Sequence, residues 1–319
     1  MAQPSRILSA QEERIMKRED DTLTSREARS KRARVDRMLR GIRKEPPRIA
    51  VERAHLMTAS FRKTEGAPVV IRWALALKHV LENIAITIGE DDLIVGRCGP
   101  PGRYGILYPE LRGAWLEKGL ESFPSRKEGR FVLSDEDARI VKEEIVPYWK
   151  ERTVFESNFN LLPEETRQAL YQKDDPYTPS YVIIDSTTDR SSQQWVPDYN
   201  KVLKSGFNGI RMAVEKKIKA LDPFDPENNF EKLPFLEAVV IVCRAMVSYA
   251  RRHADLARKL AAKEGSEKRK RELLEIAAMC EKVPGNPAES FREAVQSQWF
   301  TQVGFRFEQM HGGTVGNGR

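Results

Sequence analysis

Apolar residues recur at helical spacing through most of this 319-residue chain, and that period limits the fold more than any other feature. Between Pro68 and Ile86, the residues Val70, Trp73, Ala74, Leu77, Val80, Leu81 and Ile84 fall on one face of a 3.6-residue turn. The same spacing predicts helices over about 207–221, 234–264 and 267–283, the middle one burying Leu236, Val239, Val240, Cys243 and Val247. A last helix is expected to start at Asn286-Pro287, with Asn as cap, Pro in the first turn and Glu289 closing a capping box. Residues 48–64 read as one more helix, with Ile49, Ala50, Ala54 and Met57 on one side. Over 112–180 short amphipathic helices alternate with loops. Ser134 caps one of them, with three acids behind it, and that helix runs toward Pro147. Strand character is confined to Asp92–Gly96, as a strand or extended segment, and Tyr181–Ile184. Residues 97–111 hold three Gly and three Pro and read as loop. The fold class is therefore mostly α with a few strands, and no repeat is visible.

Charged residues make up 32% and hydrophobic residues 40%, the balance of a soluble globular protein with polar helix faces. No apolar run reaches the roughly 18 residues that span a bilayer, and the charged N-terminus has no signal core. A cytoplasmic protein without a membrane partner is the expectation. Cys98, Cys243 and Cys280 are too few and too scattered for a disulfide framework or a zinc site. The net charge of +7 sits at one end: residues 1–50 hold 14 Lys/Arg against 8 Asp/Glu. Residues 1–47 read as a charged helical arm, broken near Gly41 and stopped by Pro46-Pro47. Such an arm suits a nucleic acid or an acidic partner. Against nucleic acid, Glu27 and Asp36 interrupt the charge and no aromatic residue is present to stack on a base. A solvated helix is expected, and any nucleic-acid binding should fade by physiological salt.

Three features could carry chemistry. Gly96-x-x-Gly99-x-x-Gly102 lacks the GxGxxG spacing, and Pro100 and Pro101 remove amide donors that a phosphate loop needs, so it reads as a turn. The four histidines, His55, His79, His253 and His311, show no metal-ligand spacing. The first three fall on helices in structural or solvated settings, while His311 adjoins the Gly312-Gly313 turn. The third feature is Asp189-Arg-Ser-Ser-Gln-Gln-Trp-Val-Pro-Asp-Tyr199. Arg190 and Gln194 stand four apart and project to one side if the segment is helical or tightly turned. A guanidinium fork beside an amide suits an oxyanion: carboxylate, phosphate or sulfonate. A surface arginine among polar neighbours satisfies the same residues, and their spacing alone leaves both readings open.

Residues 65–96, EGAPVVIRWALALKHVLENIAITIGEDDLIVG, resemble the N-terminal block of the glycyl radical enzymes of the pyruvate formate-lyase superfamily. GRYGILYPEL (102–111), VPDYNKVLKSGFNGI (196–210), SFREAVQSQWF (290–300) and the closing Gly-x-Gly-Arg319 are similar to further blocks in the same order. The resemblance covers about 48–319. It implies the front portion of an α/β barrel, ten-stranded in the whole family fold. It also implies that the thiyl Cys, the Cys-x-Glu glutamate and the radical glycine lie beyond Arg319, so no catalytic residue is expected in this chain and the chain alone should be inactive. Choline- and diol-type relatives show Gly-His where this chain has Gln193 and Gln194, with Arg190 upstream. That difference resembles the isethionate sulfite-lyase branch, in which the corresponding Arg and Gln hold the substrate sulfonate.

The implied reaction is radical elimination of sulfite from isethionate (2-hydroxyethanesulfonate). A thiyl radical takes hydrogen from the hydroxyl-bearing carbon, a glutamate takes the hydroxyl proton, sulfite leaves, and acetaldehyde forms. The implied cofactor is a glycyl radical installed by an S-adenosylmethionine radical activating enzyme, and the implied assembly is a homodimer. Two alternatives stand beside this reading. One is a glycyl radical dehydratase or C–N lyase, with Arg190 gripping a carboxylate. The other is a non-catalytic helical interaction protein from a truncated gene.

Overall fold

The structure is a computed structural model that describes residues 26–308, apart from 45, 112, 114–115, 117–118, 128–129, 173–174 and 180–196. Contacts divide the chain into two units, residues 1–45 and 46–319. In the first unit, helix α1 (Arg26–Lys44) runs unbroken through Gly41, against expectation. A glycine inside a helix costs only about 1 kcal/mol relative to alanine. The flanking Met38, Leu39, Arg40 and Arg43 are good helix formers and offset it.

The second unit opens differently from the single helix expected over 48–64. Strand β1 (Arg48–Ala50) precedes α2 (Glu52–Lys63). It pairs in parallel with β2 (Tyr104–Ile106), Arg48 opposite Tyr104, and bridges to Val132. Pro46 and Pro47 hold the chain extended on entering β1, and the partner strand lies inside the stretch read as loop. Helix α3 (Val69–Asn83) forms as its period predicts, with Ala74, Ala76, Leu77, Val80 and Leu81 buried. Asp92–Gly96 forms no strand, and side chains from distant helices supply its partners. The Gln296 amide donates to Val95 O at 2.7 Å and accepts from Val95 N at 2.8 Å. Arg269 donates to Gly89 O and Asp92 O at 2.8 and 2.9 Å.

A run of short helices follows: α4 (Asp135–Ile140), a π turn (Val141–Ile145), α5 (Val146–Trp149), α6 (Val154–Leu161) and α7 (Glu164–Leu170). Ser134 Oγ caps α4 by accepting from Asp137 N at 3.1 Å, as expected. Thr153 caps α6 in the same way. An antiparallel pair, β3 (Tyr171–Gln172) and β4 (Asp175–Pro179), comes next. The expected strand at Tyr181–Ile184 lies outside the described residues.

Four long helices complete the unit: α8 (Tyr199–Lys219), α9 (Leu233–Ala261), α10 (Glu267–Lys282) and α11 (Phe291–Glu308). Helix α9 is central and contacts α3, α8, α10 and α11. Val240 and Cys243 are buried as expected, whereas Leu236, Val239 and Val247 are half-buried. The deep face is instead made by Ala245, Met246, Tyr249, Ala250, Ala254, Ala257 and Ala261, whose small residues let neighbouring helices come close. The helical stretch Asn228–Ala261 is long and apolar enough to cross a membrane by length and composition. It carries Glu237 and Arg244, and its buried face belongs to the protein core.

Helix α11 starts four residues later than the Asn286-Pro287 pattern suggested. Ser290 and Glu293 make the capping box: Glu293 N donates to Ser290 Oγ at 3.3 Å and Ser290 N donates to Glu293 Oε2 at 3.2 Å. Residues 284–288 are used otherwise, as a turn stitched to α8. Phe207 N and Asn208 N donate to Pro284 O and Gly285 O, and Ala288 N donates to Leu203 O. The stitch needs a glycine at 206, where φ is 62° and ψ 168°. A Cβ there would sit 2.3 Å from Gly285 O. That backbone region is open essentially to glycine alone and costs other residues roughly 1–3 kcal/mol before any clash. Gly206→Ala is therefore expected to destabilise the chain by about 3 kcal/mol, read from the midpoint of urea unfolding. A shift below about 0.5 kcal/mol would contradict this geometry.

Candidate functional site

Arg190, Gln193 and Gln194, singled out as an anion grip, lie outside the described residues, as do His311 and residues 309–319. What the structure does describe is where these two segments attach. The first ends at Pro197-Asp198-Tyr199. Asp198 Oδ1 caps α8 by accepting from Lys201 N at 3.0 Å. Tyr199 OH donates to Gln302 Oε1 on α11 at 2.6 Å, and burial raises the pKa of its phenol. The second segment departs from Glu308, the last residue of α11. Both therefore attach to elements bonded to the same helix.

The exit of α11 is held by a buried charged cluster that the sequence did not reveal. Arg53 on α2 is fully buried. Its Nε donates to Phe307 O at 2.9 Å, and its terminal nitrogens donate to Leu107 O at 3.3 Å and Glu308 O at 3.2 Å. It forms an ion pair with Glu110 at 2.6 Å and lies 4.4 Å from the centre of the Tyr108 ring. Tyr108 OH donates to Arg306 O at 2.7 Å, and burial pushes its pKa up. Burial also raises the Glu308 carboxyl, with Arg53 opposing and Glu110 adding to the shift. The cluster satisfies the last carbonyls of α11 with a cation, as a helix C-terminus favours. A signal for it was present: Arg53 stands on the same helical face as Met57 and Phe61, inside the apolar stripe of α2.

Two cavities flank this cluster. One of about 640 Å³ is lined by Phe61, Trp73, Tyr148 and Trp149 with Arg72 and Arg152. Its guanidinium groups are already engaged: Arg72 with Phe61 O and Tyr148 OH, Arg152 with Glu65 at 2.6 Å. The other, about 320 Å³, lies between α3, α8 and α9 and is apolar except for Glu308. It suits hydrocarbon rather than an oxyanion.

All three cysteines are free and buried, and burial pushes the thiols of Cys98, Cys243 and Cys280 up to about 12, 11 and 12. The Gly96–Gly102 stretch is a turn: Gly96 (φ 116°) lies under Phe300, and a Cβ on Gly99 would meet the Tyr104 ring at 2.8 Å. His79 is partly exposed, and His55 approaches Glu144 at 3.5 Å. His253 is fully buried, with Nδ1 3.0 Å from Tyr249 O, and desolvation lowers its pKa to about 4.

Below pH 6.5 the unfolded chain thus takes up a proton that the folded chain refuses until about pH 4. Stability should fall as pH drops through that window, by about 3 kcal/mol at its lower end. Glu308 acts with the opposite sign, because its raised pKa favours the folded state toward acid. Urea unfolding of wild type and His253→Gln at pH 7 and pH 5 isolates the histidine. The variant should lose most of the wild-type pH slope, and equal slopes would refute the assignment.

The sequence model of the Pyruvate formate lyase-like family matches residues 24–319. The chain belongs to that family. It is 50% identical over 273 residues to an isethionate sulfite-lyase of Oleidesulfovibrio alaskensis, covering 86% of this chain and 33% of that protein. An isethionate sulfite-lyase of Bilophila wadsworthia is 44% identical over 322 residues, covering 100% of this chain and 38% of the relative. Among solved structures, the glycerol-bound B12-independent glycerol dehydratase of Clostridium butyricum superposes with a TM-score of 0.79 at 34% identity, covering 88% of this chain and 34% of that one. The chain therefore spans about a third of the length of the relatives it matches. Its largely helical fold with few strands matches the N-terminal part of the glycyl radical enzyme barrel.

Proposed function

We propose that this chain is the N-terminal portion of a glycyl radical C–S lyase that cleaves isethionate to sulfite and acetaldehyde. The observation that carries the reading is Arg190 with Gln193 and Gln194, where diol-type relatives have Gly-His. A sulfonate stays ionised near neutral pH and spreads one charge over three oxygens. A permanently charged planar fork with an amide donor matches it better than a titrating imidazole. In this reading Arg190 orients the leaving group and stabilises its charge as the C–S bond breaks. Gln194 donates to a second oxygen, and Gln193 completes the polar wall.

None of Cys98, Cys243 and Cys280 has Glu two residues on, so this reading places the radical cysteine outside these three. A glycyl radical, installed by an S-adenosylmethionine radical activating enzyme, would supply the oxidising equivalent that makes the thiyl radical of the hydrogen-abstraction step. This chain's own contribution is the substrate grip and the framework that fixes it. The enzyme in this reading is a cytoplasmic homodimer that binds neither nucleic acid nor membrane.

The test uses the full-length polypeptide carrying this chain, activated anaerobically. Isethionate should release sulfite and acetaldehyde in equal amounts, while glycerol and trans-4-hydroxyproline should turn over at least a hundredfold more slowly. Efficient dehydration of either, with no sulfite from isethionate, would replace the lyase by a dehydratase.

A further inference from the structure

The segment that carries Arg190 and Gln194 joins the described fold at the first turn of α8. Three peptide steps separate Gln194 from Pro197, so chain length alone keeps their Cα atoms within about 11 Å of each other. Whatever fixes that turn therefore limits where the segment can stand. Among the described residues, most hydrogen bonds of the turn are local. Tyr199 N donates to Pro197 O at 2.8 Å, Lys201 N to Asp198 Oδ1 at 3.0 Å and Val202 N to Asp198 O at 3.2 Å. These shape the turn without tying it to another element. The phenol of Tyr199 is the group that reaches out, donating to Gln302 Oε1 on α11 at 2.6 Å.

The acceptor is a fixed point. Gln302 is 2% exposed, and its neighbours Thr301 and Val303 are buried with it. The same helix is bonded to Val95 through Gln296 and to Gly96 through Trp299, and Arg53 holds its last carbonyls. Past its first turn, α8 has supports of its own. Val202 is buried, Ala288 N donates to Leu203 O, and Phe207 N and Asn208 N donate to Pro284 O and Gly285 O. Removing the phenol hydroxyl therefore leaves the helix seated and loosens the turn at which the segment is rooted.

We propose that Tyr199 is a positioning residue for the anion grip, its bond to Gln302 holding the root of the Arg190–Gln194 segment against α11. The inference rests on the lyase reading for the role of Arg190. A misplacement of about 1 Å at an orienting group can cost about a hundredfold in rate, so a bond that fixes the root of such a group bears on turnover without touching substrate.

Steady-state sulfite release by the anaerobically activated full-length polypeptide tests it, with Tyr199→Phe, Arg190→Ala and the pair. Tyr199→Phe should lower kcat/KM for isethionate about tenfold, the size of one hydrogen bond, with radical content and cooperative unfolding retained. Because Tyr199 acts through the grip, adding Tyr199→Phe to Arg190→Ala should cost less than about twofold more. Gln302→Met removes the acceptor and keeps the bulk, and on that background Tyr199→Phe should again add less than about twofold. A Tyr199→Phe enzyme within about twofold of wild type overturns the inference. So does an effect that multiplies in full with Arg190→Ala, which assigns Tyr199 a role apart from the grip, or with Gln302→Met, which assigns it a role apart from the bond. Should Tyr199→Phe fail to fold, Gln302→Met alone and with Arg190→Ala carries the same prediction. Failure of the lyase reading looks different: Arg190→Ala then keeps near-normal sulfite release, or wild type releases none, and the inference falls with it.

Discussion

Arg190→Ala in the full-length enzyme is expected to lower kcat/KM for isethionate by about 3 kcal/mol or more, over a hundredfold. The substitution leaves a desolvated sulfonate without its counter-charge. Arg190→Lys keeps the charge but holds the anion at one point instead of two, so it should fall between alanine and wild type. Gln194→Ala removes one hydrogen bond to a charged group and should cost less, about 1–2 kcal/mol. Glycyl radical content, counted by electron spin resonance, should be unchanged in all three, which separates substrate grip from activation. Near-normal sulfite release by Arg190→Ala with its radical intact would remove Arg190 from the site and the sulfonate with it.

The largest stability effect should come from Arg53→Ala. Its guanidinium pairs with the buried Glu110 carboxylate and serves three carbonyls, those of Leu107, Phe307 and Glu308. Breaking a buried pair by deleting one partner costs about 3–5 kcal/mol, because the remaining charge keeps its desolvation penalty and loses its compensation. Arg53→Met combined with Glu110→Gln removes both charges and should recover at least half of that loss. Urea unfolding of the two variants against wild type measures both values. If Arg53→Ala costs less than about 1 kcal/mol, the cluster does not hold the end of α11.

Helices α3, α9 and α10 were legible because each buries a broad stripe, and a stripe many residues long leaves its period in the sequence. Strand β1 was not, because three residues carry no period and its partner Tyr104–Ile106 lies beyond an intervening helix pair. The start of α11 was misplaced for a different reason. Asn286-Pro-Ala-Glu289 and Ser290-Phe-Arg-Glu293 both satisfy the local capping rule, and only the bond from Ala288 N to Leu203 O decides between them. For the site, residue chemistry reached Arg190 and Gln194 as an anion grip but left a plain surface equally open; resemblance to a family narrowed the choice. Arg53 was missed because its place in the apolar stripe of α2 signals burial but not its partners, which lie as far as 255 residues away.

That separation has a consequence for how the protein is made. Arg53 waits for Phe307, Val95 for Gln296, Gly96 for Trp299, and Gly89 for Arg269. Each early loop or helix is completed by a residue from the last fifth of the chain. During synthesis Arg53 and the 89–96 segment therefore emerge with these partners still untranslated, and they stay without them until α10 and α11 leave the ribosome. A pause in translation after residue 100 would lengthen that exposed interval.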